Sequence, residues 1–230
     1  VRFSKENQFC KVDKNVARNA ENIVIQNSKL SIDRLNPTTE IWYVIRRENF
    51  SFCGQLLSKR EFTEKNLNKG ELRPEVAYLM CCYANIQPED VVLEPFAGYG
   101  SIPIQISKHF KYSKLFVSDI DSERIADLQQ KKHLKKENVF IEECSVFDLP
   151  TKRSEISCII TDPPWGFFVE IADITKFYID MFESFRKICS ENCKIVILTA
   201  RVENFIQAAE SSNVELSERI NTLINGKKAS

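Results

Sequence analysis

The sequence has few of the residues that most often carry metal or acid–base chemistry. Only two histidines occur among 230 residues, and both, His109 and His133, lie next to lysines in segments predicted to be exposed on helices. Eight cysteines are present, but none have the C-x-x-C spacing that is typical of structural zinc sites. We therefore expect no metal site, no catalytic histidine, and reduced, mostly structural thiols in a cytoplasmic protein, or in a nuclear one if the source is eukaryotic.

Net charge and long apolar runs are also lacking. The 32 basic residues balance the 32 acidic ones, which argues against a protein that coats nucleic acid without specificity. No apolar run approaches the roughly 20 residues that a membrane helix needs, and the polar start at 1–5 does not resemble a signal peptide. With 43% hydrophobic residues, the chain can bury the core of one domain with a smaller attached element.

The strongest signal is the sequence Asp162-Pro163-Pro164-Trp165-Gly166, which follows the apolar segment 156–161. An ionised Asp only accepts hydrogen bonds, and proline has a carbonyl but no N–H, so Asp162 and Pro163 supply acceptors without competing donors. The exocyclic amine of a nucleobase has two N–H bonds to satisfy, and Trp165 offers a ring on which a base can stack. A strand-ending turn with one core Trp is the alternative for these residues alone.

A second motif lies upstream, where the apolar segment 91–93 is followed by Glu94 and by a loop that contains Gly98 and Gly100. Glycines allow the backbone to approach a bound ligand closely and to adopt unusual dihedral angles. Pro103 stands where a third glycine of the dinucleotide-binding fingerprint would fall. A pyrophosphate cofactor, and with it a nicotinamide-dependent dehydrogenase, is therefore disfavoured.

Acidic residues end the next predicted strand, about twenty residues further on. The carboxylate of Asp119 can accept hydrogen bonds from both hydroxyls of a ribose, whereas Asp121 is well placed to cap the following helix. Strand, glycine loop, helix, strand and acid together predict one nucleoside-binding half of a sheet.

Apolar periodicity predicts alternating strands and helices, and such alternation favours a mostly parallel sheet with helices on both faces. Helices are expected at 13–27, 74–84, 100–109, 122–135, 173–189 and 202–210, and strands at 41–45, 51–57, 91–94, 115–119, 138–142, 156–161, 194–199 and 214–224. Hairpin turns are expected at 46–49 and at Asn225-Gly226, the latter before a short final strand.

Taken together, these motifs resemble class I S-adenosylmethionine-dependent methyltransferases that act on exocyclic amines, and especially the THUMP-associated RNA guanine-N2 methyltransferases. Residues 71–77 are similar to the helix that precedes the glycine loop in that family, and residues 36–44 to the closing strand of a THUMP domain. The resemblance implies a Rossmann-like α/β methyltransferase domain at 74–230, with a mostly parallel seven-stranded sheet. It also implies a partial THUMP-like α+β element at 1–62 and a linker at 63–73.

The resemblance further implies the roles of individual residues. Asp162, Pro163 and Trp165 would hold the target amine and its base. S-adenosylmethionine would be held by Glu94, Phe96, Ala97, Gly98, Gly100, Asp119, Ile120, Ser145 and Val146. Family members often have an acid where this chain has Ser145, with Asp148 three residues later, so the adenine contact is left open: Ser145 could still bond to the adenine, or Asp148 could merely cap a turn.

The expected substrate is N2 of guanosine in tRNA or in another structured RNA. DNA adenine-N6 methylation, protein glutamine methylation and a degenerate methyltransferase that acts as a binding subunit remain alternatives. Asp rather than Asn at position 162 disfavours glutamine, and the THUMP-like strand favours RNA over DNA. Because the THUMP-like element is partial, a protein partner could supply RNA recognition.

Two groups of basic residues could neutralise phosphates, and a solvated surface is the alternative reading of both. They are Arg46, Arg47, Lys59, Arg60, Lys65, Lys69 and Arg73, and Lys108, Lys111, Lys114, Lys131, Lys132, Lys135 and Lys136. We favour the solvated surface for the second group.

Overall fold

A computed structural model describes residues 1–5, 8–46, 50–56, 67–149, 155–167, 170–224 and 227–230. The chain divides into two compact units, Val1–Thr63 and Glu64–Ser230, which are described separately. Both expected hairpin turns and the first part of the expected linker fall wholly or partly outside the described residues. So do Arg47, Lys59, Arg60 and Lys65 of the first basic group.

The first unit contains a four-stranded sheet and one helix. Its elements are β1 (Arg2–Lys5), β2 (Gln8–Phe9), α1 (Lys14–Gln26), β3 (Ile41–Ile45) and β4 (Ser51–Gln55). The strand order is β2-β1-β3-β4, with β1 and β3 parallel and the outer pairs antiparallel. The sequence predicted α1, β3 and β4 but missed β1 and β2, because these strands are short and only Ser4 in them is buried.

The second unit alternates strands and helices as expected. Its elements are α2 (Pro74–Tyr83), β5 (Val91–Glu94), α3 (Ser101–His109), β6 (Lys114–Asp119), α4 (Ser122–Gln130), β7 (Val139–Glu143), β8 (Ile156–Thr161), α5 (Ile174–Arg186), β9 (Cys189–Ile197), α6 (Val202–Ser211), β10 (Thr222–Ile224) and β11 (Lys227–Ala229). Short 3₁₀ turns follow α4 at Lys132–Leu134 and β7 at Val146–Asp148.

Five of these strands form one parallel sheet in the order β7-β6-β5-β8-β9. Strands β10 and β11 form an antiparallel hairpin, and Thr199 and Ser230 exchange two backbone hydrogen bonds of 2.8 Å that attach this hairpin beyond β9. The seven strands predicted for this unit thus belong to two sheets, one of five strands and one of two. The strand predicted at 214–224 is wrong over 214–221, because residues 215–221 are exposed and offer no face to bury.

Buried apolar side chains pack on both faces of the parallel sheet. Val92 and Leu93 are neighbours in β5 but belong to different clusters, since successive side chains of a strand point to opposite faces. Helices α2, α3 and α4 cover the face of Val92, and α5 and α6 cover the face of Leu93. Among the residues that the structure describes, no helix combines the length and apolar character needed to cross a membrane.

Candidate active site

Three acidic residues meet where the central strands of the sheet end. Glu94 ends β5, Asp119 ends β6, and Asp162 directly follows β8. Strand β5 lies between β6 and β8, so all three carboxyl groups lie at one carboxyl edge. This edge is where open α/β sheets bind ligands.

Glu94 is fully buried, with 0% of its surface exposed. Its Oε1 accepts hydrogen bonds from the Phe96 N–H at 2.9 Å and from the Thr161 hydroxyl at 2.7 Å. Its Oε2 is buried without a partner among the described residues. Burial raises the pKa of Glu94 well above its usual range, and the charges of Asp162 and Asp119 add to the shift while the two hydrogen bonds oppose it. Burial thus favours the protonated form of Glu94, which would offer a hydrogen-bond donor to a ligand.

The two loop glycines are required for different reasons. Gly100 precedes α3 with φ +86°, and a Cβ there would lie 2.4 Å from Cδ2 of the buried Leu128. Gly98 has φ +50°, and the nearest atom to a Cβ there would be the Phe96 carbonyl oxygen, at 4.0 Å. Close packing against Leu128 explains why residue 100 is a glycine, whereas the space beside Gly98 is open.

The residues between Glu94 and the glycines are held by an aromatic contact and a backbone hydrogen bond. The Phe96 ring lies 5.9 Å from that of Phe177. Ala97 is buried, and its N–H donates to the Ser118 carbonyl at 3.0 Å. The loop is thus fixed to the neighbouring strand β6.

Asp119 holds the same loop from β6. Its Oδ2 accepts from the Gly98 N–H at 2.7 Å, and its Oδ1 from the Asp121 N–H at 2.9 Å. Each oxygen keeps a second lone pair, so the ribose role of Asp119 stays a prediction. Asp121 caps α4 by accepting from the Glu123 and Arg124 N–H groups, which confirms its predicted capping role.

The residues expected near the adenine differ from one another in burial. Ile120 is 72% exposed and Val146 is buried. The Ser145 hydroxyl accepts from the Phe147 N–H at 3.2 Å. Ser145, not Asp148, therefore caps the turn at 146–148, and its hydroxyl hydrogen can still bond a ligand.

The loop after β8 combines a half-buried acid, Asp162, with a half-buried aromatic residue, Trp165. Burial raises the pKa of Asp162 to about 7, and the Trp165 side chain partly opposes this. Oδ1 of Asp162 is buried without a partner in the described part of the chain. Pro163 is buried, and the Trp165 indole N–H donates to the Leu198 carbonyl at 3.2 Å. Trp165 thus packs partly on the core, as the alternative of a strand-ending turn with one core Trp predicted. Part of its surface remains accessible.

Sequence reasoning missed the segment that supports this loop. Leu198, Thr199 and Arg201 follow β9 at the same sheet edge, and the Arg201 Nε donates to the Trp165 carbonyl at 2.8 Å. The Tyr178 hydroxyl and Thr199 Oγ1 share a hydrogen bond of 2.8 Å beneath it. The strand predicted at 194–199 could have located this segment, because residues at the carboxyl end of a parallel strand lie at the ligand-binding edge of the sheet.

Three of the seven lysines of the second basic group make local contacts. Lys131 pairs with Asp127 at 2.9 Å, Lys135 donates to Gln130, and Lys136 donates to the Ser107 carbonyl. These contacts agree with a solvated surface.

The residues at this edge fit S-adenosylmethionine. The space at Gly98 allows close approach, Ile120 presents an uncovered apolar side chain, and Glu94 has an unused buried oxygen. A ligand with an apolar ring system and several polar groups would satisfy all three.

Comparisons with known proteins agree with this geometry. Residues 60–229 match the family described as UPF0020, RMKL-like, methyltransferase domain. The tRNA (guanine(6)-N2)-methyltransferase of Methanocaldococcus jannaschii is 21% identical over 211 residues, covering 74% of this chain and 55% of that protein. The chain thus spans about half the length of this curated relative.

Solved structures show the same fold. TrmN from Thermus thermophilus has a TM-score of 0.69 at 18% identity, over 99% of this chain and 69% of TrmN. SMU.472, solved in complex with SAH, has a TM-score of 0.61 at 11% identity, over 87% of this chain and 62% of its own. The predicted Rossmann-like α/β fold is therefore confirmed.

Proposed function

Since the chain belongs to the RMKL-like methyltransferase domain family (UPF0020), we propose that it methylates the exocyclic amine of a nucleobase in RNA, with N2 of guanosine in tRNA as the favoured target. The observation that carries the proposal is the buried, unpartnered Oδ1 of Asp162 at the sheet edge that also holds the glycine loop. A buried acceptor without a donor is costly, and an amine N–H would supply that donor. The M. jannaschii relative, a tRNA guanine-N2 methyltransferase by name, supports the choice of base and RNA.

S-adenosylmethionine is the cofactor of this domain, and when bound it supplies an electrophilic methyl group. Glu94 and the backbone of 96–100 would hold its methionine part. Asp119 would hold the ribose, and Ile120, Ser145 and Val146 would surround the adenine. A protonated Glu94 would be suited to this role, because it would donate a hydrogen bond without adding a buried charge.

Asp162 and the Pro163 carbonyl would accept the two amine N–H bonds and so direct the nitrogen lone pair towards the methyl group. The ionised Asp162 would also stabilise the positive charge that develops on nitrogen during transfer. A pKa of about 7 further suits it to take up a proton afterwards. Trp165 would position the base by contact with its accessible surface.

The test is transfer of tritium from labelled S-adenosylmethionine to tRNA, rRNA, DNA or a glutamine-containing protein substrate. We expect label in RNA, and we expect it to appear in N2-methylguanosine when the nucleosides are separated by mass spectrometry. Label in DNA or protein would instead support the alternative substrates. Calorimetry that finds no cofactor binding would point to a degenerate binding subunit.

The variant Asp162→Ala should lose at least about 100-fold in methyl transfer while it still binds the cofactor. Asp127→Ala is the matched control, because it removes an exposed carboxylate of α4 that pairs with Lys131. Full activity of Asp162→Ala would contradict the proposed site.

A further inference from the structure

Arg201 is held beside the base loop by three contacts. Its backbone N–H donates to Thr199 Oγ1 at 2.9 Å, and its Nε donates to the Trp165 carbonyl at 2.8 Å. Its guanidinium carbon lies 4.6 Å from the centre of the Phe167 ring. These contacts occupy only one of the five N–H bonds of the guanidinium group, so both terminal nitrogens keep their donors.

The charge of Arg201 is not neutralised within the described residues. Arg201 has no ion pair in the described part of the chain. Arg18, Arg186 and Arg219 also have none there, but these three are exposed. Arg201, by contrast, is half-buried. Partial burial of a cation without a counter-charge is unfavourable, so this geometry favours an anion that arrives with the substrate.

The chemistry of the adjacent loop limits which anion that is. A nucleotide whose base reaches Asp162 carries a phosphate close by, whereas a glutamine side chain carries no charge. The two terminal nitrogens of a guanidinium group match two phosphate oxygens. We propose that Arg201 binds the phosphate of the nucleotide whose base enters the Asp162–Trp165 loop, and that the substrate is therefore a nucleic acid and not a protein side chain. This inference rests on the proposed function.

Salt dependence of RNA binding provides the first test, with bulk tRNA as the probe and the full chain as the protein. Each phosphate contact contributes about 0.7–0.9 to the slope of log K against log salt. We expect Arg201→Gln to lower the slope by about that amount and to raise KM more than it lowers kcat. Arg201→Lys should keep the slope, because it keeps the charge.

A matched control removes a positive charge from the opposite edge of the sheet. Lys187 is exposed and lies between the end of α5 and the start of β9, so Lys187→Gln should leave the slope unchanged. If Arg201→Gln lowers kcat with an unchanged slope, Arg201 only supports the Trp165 loop and the inference is wrong.

A second measurement compares a nucleotide and a nucleoside as competitors of RNA. Guanosine 5′-monophosphate should compete with RNA about 10-fold better than guanosine in the wild-type protein, and Arg201→Gln should abolish the difference. Equal competition by nucleoside and nucleotide, together with labelled RNA, contradicts this inference alone. Preference for the nucleotide without any labelled RNA contradicts the proposed function alone.

Discussion

Alanine at Gly100 should destabilise the second unit, whereas alanine at Gly98 should chiefly weaken cofactor binding. Both residues have positive φ, at +86° and +50° respectively, where a non-glycine residue costs about 1–2 kcal/mol. The two positions differ in what the new methyl group would meet.

The added Cβ at position 100 would lie 2.4 Å from Leu128 Cδ2. Leu128 is fully buried, at 0% exposure, so it cannot move into solvent, and overpacking of this kind costs about 1–3 kcal/mol. The sum for Gly100→Ala is about 2–5 kcal/mol. The corresponding cost for Gly98→Ala is the backbone strain alone, about 1–2 kcal/mol.

Thermal unfolding and calorimetry measure the two effects separately. For a domain of this size, 1 kcal/mol corresponds to about 2–4 °C in Tm. Gly100→Ala should therefore lower Tm by roughly 4–20 °C, and Gly98→Ala by roughly 2–8 °C. Gly98→Ala should also weaken S-adenosylmethionine binding by at least about 10-fold, because its methyl group projects into the space left for the ligand.

Equal losses of Tm in the two variants would show that packing does not distinguish the glycines. Normal cofactor affinity of a folded Gly98→Ala variant would show that the space beside Gly98 is not part of the cofactor site. Leu128→Ala offers a further control in a double-mutant cycle: it removes the atom that the new Cβ would contact, so Gly100→Ala should cost less stability in the Leu128→Ala background than in the wild type.

Two further predictions concern the buried acids. The rate of methyl transfer should rise with pH through about 7, because the ionised Asp162 is the better acceptor. The variant Asp162→Asn keeps an acceptor oxygen but cannot ionise, so it should remove that rise in single-turnover rates. A rise that persists in this variant would belong to another group. Because folding raises the pKa of Glu94, the folded state keeps a proton that the unfolded state releases above about pH 4.3, so wild-type stability should fall as pH increases towards the folded pKa. Glu94→Gln mimics the protonated acid and should flatten this decline in Tm at pH values above about 4.3, whereas parallel curves would show that Glu94 is ionised in the fold.

Much of the second unit could be predicted because four of its strands, β5 to β8, are short segments that end in an acid or directly before one. Strands β5 and β8 follow this pattern, and their ends brought Glu94 and Asp162 together as expected. Strand β9 was predicted to begin at 194, five residues late. Residues 190–192 at its start are polar, so apolar periodicity did not include them in the strand. The pairing of this part with β8 is irregular between Ile156 and Cys158.

Contacts between residues that lie far apart in the chain could not be predicted from the sequence. A hydrogen bond such as that from Thr161 to Glu94 spans 67 positions, and no local pattern of residues encodes it. Arg201 was missed for a similar reason, because its partners Trp165 and Phe167 are far from it in sequence. Burial, which sets the pKa of Asp162, also depends on packing that periodicity does not describe.

The bond between Glu94 and Thr161 has a consequence for how this site can evolve. One carboxyl oxygen receives donors from the glycine loop and from the strand that precedes Asp162. A lineage that replaced Thr161 by an apolar residue would remove a donor from a buried oxygen, which is costly unless the acid changes as well. Positions 94 and 161 should therefore vary as a pair across related sequences, and chimaeras that exchange only one of them should fold less well than those that exchange both.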